Sequence, residues 1–183
     1  MEDRSVSMGK ANVWALAALG PLVALLTAAF VWLHGWGPFA DAGGEVPWLF
    51  MLAALIFGIV VHEVLHAVAW KLAAGIPWAD MKLGFQWKTL TPYAHARVPM
   101  SARAYRIGAA TPGVVLGLIP CAVALAIGDG GWMLFGLLFT LAAGGDALIL
   151  WLLRGVAPGR LVEDHPTRAG CYVAGDAAMS DEG

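Results

Sequence analysis

His62, Glu63 and His66 stand in the segment His62-Glu63-Val64-Leu65-His66. On a helix the two histidines project from one face about one turn apart. Imidazoles so placed can close on a single metal ion, with the carboxylate beside the first histidine angled toward the same point. Where this spacing binds zinc, the glutamate is not a ligand: it takes a proton from the attacking water and can later give it to the leaving amine. The chemistry predicted is zinc-dependent hydrolysis of a peptide bond. Catalytic zinc usually takes three protein donors and keeps a fourth position for water, so one more donor must come from elsewhere in the chain.

The motif lies in an apolar stretch of an apolar chain. The 183 residues are 60% hydrophobic and only 13% charged, with a mean hydropathy of +0.71, unlike ordinary soluble domains. Residues 13–33, 47–70, 107–127 and 132–153 each reach the roughly 20 residues that a helix needs to cross a hydrocarbon core of about 30 Å. They lack the polar faces at helical spacing that four buried helices of a soluble protein would show. The expected fold is therefore an all-α membrane protein with four transmembrane helices. The first stretch exceeds the roughly 7 to 15 apolar residues of a secretory signal and is read as a retained helix.

Basic residues orient these spans, because cytoplasmic loops retain Lys and Arg. All 11 of them precede the first span, border or occupy the loop between the second and third, or follow the fourth. Both termini are expected in the cytoplasm. Trp14, Trp32, Trp36, Trp48, Trp70, Trp132 and Trp151 fall near span ends, where an amphipathic ring prefers the interface with water. The net charge of -2 says little about partners, and no nucleic-acid partner is expected. Cys121, inside the third span, and Cys171, in the tail, are not placed for an extracellular disulfide and read as structural or incidental.

One other acidic residue is embedded in a span: Asp146, directly after Gly144 and Gly145, where missing side chains let backbones approach and a helix bend. At 1.5 Å per residue, His66 and His62 lie about 7 and 13 Å below Lys71, and Asp146 lies about 12 Å below Arg154. A divalent zinc ion, two neutral imidazoles and two carboxylates sum to zero charge, which a low-dielectric core tolerates. His62, His66 and Asp146 are the candidate metal ligands and Glu63 the candidate catalytic base. Other readings remain: a metal-free polar cluster joining helices, and for Asp146 an arginine partner or a role in proton transport.

Residues 71–106 hold a second pattern. The run from Met81 to Lys88 alternates apolar and polar residues, Thr91-Pro92 reads as a turn, and the run from Tyr93 to Val98 alternates again until Pro99. This predicts a β-hairpin at the cytoplasmic mouth of the bundle, with Ser101 capping the third helix. His95 on that hairpin reads either as a solvated residue or as a group that positions substrate or stabilises an oxyanion; His34 and His165 read as surface residues. Pro112-Gly113 and Gly117 predict a kink and close packing against the second span. Residues 1–174 form one domain, and residues 175–183 read as a disordered tail.

With the His-Glu-Val-Leu-His motif in a membrane helix, a strand-like loop, a Pro-Gly helix and then Gly145-Asp146, the chain resembles the site-2 proteases, which are intramembrane zinc peptidases. More closely, from His62 to Tyr172, about 110 residues including Asp164-His165-Pro166-Thr167-Arg168-Ala169-Gly170, it resembles the small bacterial "putative zincin peptidase" membrane family. The resemblance implies zinc bound by His62, His66 and Asp146, Glu63 as base, and a multi-pass protein of the bacterial plasma membrane acting on membrane-protein or peptide substrates. It departs from the site-2 group in having Gly-Gly-Asp in place of the longer signature around the third ligand, and no PDZ-like insertion. A substrate must be extended to be cut, and it could pair as an added strand near Phe85 or His95. The alternative function is a non-proteolytic scaffold or metal-handling protein that keeps a zinc site.

Overall fold

The computed structural model describes residues 1–45, 48–86, 91–165 and 168–175. Helix α1, Met8–His34, is apolar on nearly every face and ends where Gly35 turns to φ 75°, a conformation glycine adopts at little cost. After a short helix α2, Gly37–Glu45, the long α3, Trp48–Ala74, carries the histidine motif. Strands β2, Met81–Gln86, and β3, Thr91–Ala96, pair as an antiparallel hairpin with Lys82 opposite His95. The two-residue β4, Met100–Ser101, leads into α4, Ala102–Pro112, whose first turn is capped by the Ser101 hydroxyl accepting from Ala104 N–H at 3.3 Å.

Pro112 has no N–H to donate to the preceding turn, and the helix widens beyond it into a π-helical stretch, Gly113–Leu118, before continuing as α5, Ile119–Ile127. Helix α6, Gly130–Ala142, is capped by Asp129 accepting from Trp132 N–H at 2.9 Å. It meets α7, Gly144–Leu152, at a bend of 43°. At that bend a Cβ on Gly144 would come within 2.3 Å of the Ala15 Cβ, so the missing side chain is what lets α7 lie against α1.

Three helices are long and apolar enough to cross a membrane, and the bent pair α6–α7 adds a fourth if it is one span. Their outward residues are bare apolar surface, with Trp32 84% and Phe57 70% exposed. Together they are compatible with a multi-pass membrane protein.

The fold is mostly helical but not all-α. Strands β5, Leu161–Asp164, and β6, Ala169–Val173, join β4 and an N-terminal strand β1, Glu2–Val6, in an antiparallel sheet of order β1-β6-β5-β4. The short loop and tail segments lack the length and regular alternation that would have marked them as strands. The sheet, the hairpin and the start of α4 enclose a buried cluster that includes Tyr105, Leu153, Val162 and Val173. A smaller cluster of Phe30, Cys121, Ala124 and Met133 packs at the other end of the bundle.

Other expectations change in detail. Thr91 and Pro92 open β3 rather than forming a turn, since Pro92 occupies an edge position where no amide is required. Between the first two expected spans, where no regular element was expected, lies α2. Gly113 and Gly117 pack against α6, not against the second span: Cβ atoms there would meet Ala143 Cβ at 3.0 Å and Thr140 Oγ1 at 2.6 Å. Trp70 is not interfacial but 4% exposed. His34 reaches Leu125 O at 3.0 Å and His165 reaches Tyr172 at 3.1 Å, so neither is a bare surface residue. The expected start of the second span at Pro47, Trp87 and Lys88 of the first strand, Pro166 and Thr167 of the tail motif, and residues 176–183 of the expected disordered tail lie outside the described residues.

Candidate metal centre

Helix α3 puts His62 and His66 on one face with ring centroids 5.1 Å apart. Helix α7, turned inward by its bend, brings Asp146 to the same level. One carboxylate oxygen lies 3.1 Å from His62 Nε2 and the other 3.3 Å from His66 Nε2. One donor atom from each residue falls within 4.8 Å of the others. Zinc bonds of roughly 2.0–2.2 Å at tetrahedral angles separate neighbouring donors by about 3.3–3.6 Å, so these residues fit a zinc ion with little movement.

The outer contacts sharpen that fit. His66 Nδ1 lies 3.0 Å from Gly108 O, and a carbonyl can only accept, so Nδ1 carries the proton. Nε2 is then left with a lone pair facing the cluster, the arrangement a metal-binding imidazole requires. Were Nε2 also to donate to Asp146, His66 would have to be a buried imidazolium, a costly species at this depth.

The acceptor itself follows from sequence. Gly108 stands four residues before Pro112, which has no N–H to give it, so the carbonyl is available to His66. Gly108 also lets α4 approach α3, because a Cβ there would sit 2.0 Å from Trp70 Nε1. His62 has no matching brace, and its buried Nδ1 lacks a hydrogen-bond partner.

Glu63 borders a cavity of about 220 Å³ together with His62, His66, Asp146, Tyr93 and Tyr105. Its carboxylate accepts the backbone N–H of Ala94 on β3. Arg97 N–H donates to Asp80 O at 2.8 Å, across the hairpin. Ladder amides alternate along a strand, so those of Ala94 and Ala96 point away from β2, and β3 turns its outer edge to the cavity. The arrangement can therefore hold a divalent cation beside a carboxylate, in a pocket walled on one side by β3.

The structure brings all four residues singled out by spacing and depth to one place. It does not put His95 at the cavity: His95 Nδ1 pairs with Asp164 at 3.2 Å, and Asp164 holds this imidazole above the usual histidine range, chiefly through that hydrogen bond and against the opposing effect of burial. Sequence reasoning passed over Tyr105 and Gly108, read Trp70 as interfacial, and gave Asp164 no role of its own. His66 stacks on Trp70 at 5.6 Å and Trp70 on Tyr105 at 5.8 Å. The only signal was the polar tail motif containing Asp164.

Neither the curated proteins nor the solved structures offer a match to this chain. A family pattern does match, over residues 55–160, more than half the chain; it spans the motif helix, the hairpin and the aspartate helix, and stops short of Asp164. Zincin chemistry implies zinc, and the donor cluster within the matched segment could bind such an ion. The chain belongs to the family described as "putative zincin peptidase".

Proposed function

We propose that the chain is an intramembrane zinc metallopeptidase of the site-2 kind, with His62, His66 and Asp146 as ligands and Glu63 as catalytic base. The observation that carries this reading is the convergence of three donors from two helices beside a carboxylate in one cavity. A zinc ion held there would polarise the scissile carbonyl and acidify the attacking water. Glu63 accepts the proton of that water and returns it to the leaving amine. The Gly108 carbonyl holds His66 in its ligating tautomer.

An extended substrate fits along the outer edge of β3. Its carbonyl would take over the Ala94 N–H that Glu63 now accepts, freeing the base as the peptide is seated.

Four crossings suit the sheet. β1 precedes the first span, β4 follows the second, and β5 follows α7, yet all three strands lie in one sheet. Strands that hydrogen-bond share one side of a bilayer, which favours reading the bent pair α6–α7 as a crossing. With the basic residues gathered at that side, it is the cytoplasmic one, and water and substrate reach the metal from there.

The deciding experiment measures zinc content and hydrolysis together in detergent micelles, using a quenched-fluorophore peptide that carries one apolar span. Wild type should hold one zinc and cleave. Asp146→Ala should lose the metal, and Glu63→Gln should keep it while turnover falls by a factor of about 100 or more. Unchanged cleavage in Glu63→Gln overturns the peptidase reading. Stoichiometric zinc without cleavage in wild type favours a metal-holding or scaffold protein instead.

A further inference from the structure

We propose that Asp164, in the tail beyond the family-matched segment, is a positioning residue that sets the base and one ligand of the metal site at the same time. The inference rests on the peptidase reading above and extends it to a residue that touches neither metal ligand nor base.

Asp164 closes β5 and is 13% exposed at its side chain. Its Oδ2 accepts Ala96 N–H at 3.2 Å and meets His95 Nδ1 at 3.2 Å, while Oδ1 accepts the Tyr105 hydroxyl. Three donors from two elements converge on one carboxylate. Only an acceptor with two oxygens can satisfy them all, which accounts for an aspartate at this position.

Each arm leads into the site. Along β3, the anchored Ala96 stands two residues past Ala94, whose N–H meets the Glu63 carboxylate, so the Asp164 contacts fix how closely the strand approaches the base. Through α4, Tyr105 lies against Trp70 with planes 16° apart, and Trp70 against His66 with planes 24° apart. That stack supports the ring of His66 along the cavity wall, which Trp70 and Tyr105 line with it. Gly108, the acceptor of His66 Nδ1, lies one turn along α4 from Tyr105.

Asp164 is itself rigidly held. It pairs with Cys171 in the ladder to β6, and the next residue, His165, donates its N–H to Gly170 O at 3.1 Å. The first residue of the polar tail motif thus acquires a purpose: it ends β5 and delivers a carboxylate under the hairpin.

The test is a set of zinc-affinity measurements by chelator competition, absorption spectra of the cobalt-substituted protein, and kcat and KM on the quenched single-span peptide. Asp164→Ala should weaken zinc binding and lower kcat per bound zinc, each by about 10- to 100-fold, with KM little changed and the cobalt bands displaced. Asp164→Asn, which keeps one acceptor oxygen, should recover part of both. Tyr105→Phe removes only the α4 arm, so it should weaken zinc binding while lowering kcat per bound zinc less than Asp164→Ala does. Should Asp164→Ala fail to fold, the Asn and Phe variants carry the same comparison.

Wild-type zinc affinity, cobalt spectrum and kcat in the Asp164 variants overturn the proposal, as do losses that merely track the folded fraction. Glu63→Gln is run beside them. If it still cleaves, the peptidase reading fails, while the zinc and cobalt data continue to judge Asp164 as a positioner of His66.

Discussion

At the scale of single residues, the site depends on which atom of each side chain is already occupied. His95 shows how this becomes measurable. Asp164 raises its affinity for a proton by hydrogen bonding and charge, Glu163 adds to the effect, and burial and Lys82 oppose it. The folded chain therefore binds that proton more tightly than an unfolded chain, whose histidines titrate near 6.5. The pair stabilises the hairpin fully below that value and loses its contribution as pH rises through the raised value of the folded state. Amide exchange along β3 should accelerate over that interval, and a His95 imidazole resonance titrating at the ordinary value would refute the assignment. Cys171, beside the same carboxylate, is pushed up to about 12, by burial first and the Asp164 charge second. Its thiol is a packing group, in line with the reading from sequence.

These residues also mark how far sequence reached. His62, Glu63 and His66 were legible because helical periodicity fixes their geometry locally, and Asp146 because two stretches expected to enter from the same side can be compared for depth. His95 was not, because its partner lies 69 residues away across a sheet formed by segments too short to carry a pattern. Trp70 was misplaced because a ring at a span end suits an interface or a stack equally well, and only Gly108 and Tyr105 on another helix decide between them.

At the scale of elements, the break in the third span is more than a kink. Pro112 deprives Gly108 of the amide that an ordinary helix would supply, and His66 takes its place. Pro112→Ala should then have effects of opposite sign. The restored N–H competes for the carbonyl, so the helix gains stability while zinc affinity falls; thermal unfolding and chelator competition on the same sample read both. Gains or losses in both together would sink this account. The hairpin offers a second test. The Ala94 amide points away from β2, so Ala94→Pro should leave the β2–β3 ladder and the zinc intact yet impair cleavage of an extended substrate. Normal cleavage by this variant would exclude strand pairing at that edge.

At the scale of the whole molecule, the sheet binds the ends of the chain to the helices between them. Arg4 donates to Leu152 O at 3.1 Å, and the Arg106 guanidinium reaches Leu153 O and Val156 O, so the C-terminal carbonyls of α7 and the turn after it are held from β1 and from α4. Gly170, at φ 136°, leaves room for the passing β1, since a Cβ there would lie 2.2 Å from Arg4 O. Removing residues 2–6 should lower the melting temperature, by roughly 2–4 °C for each kcal/mol lost, while zinc stoichiometry measured well below the transition stays at one. Loss of zinc at low temperature would show instead that β1 shapes the site directly.

The pairing of β1 with β6 joins Glu2 to Val173 in one ladder. During synthesis β1 must wait, its edge bare, until all the helices and β6 have been made. Contacts so distant along the chain form late and slowly. Under the four-crossing reading proposed above, closure of this ladder would work as a check on insertion: one helix left uninserted would put β6 on the opposite face of the bilayer and leave β1 unmatched.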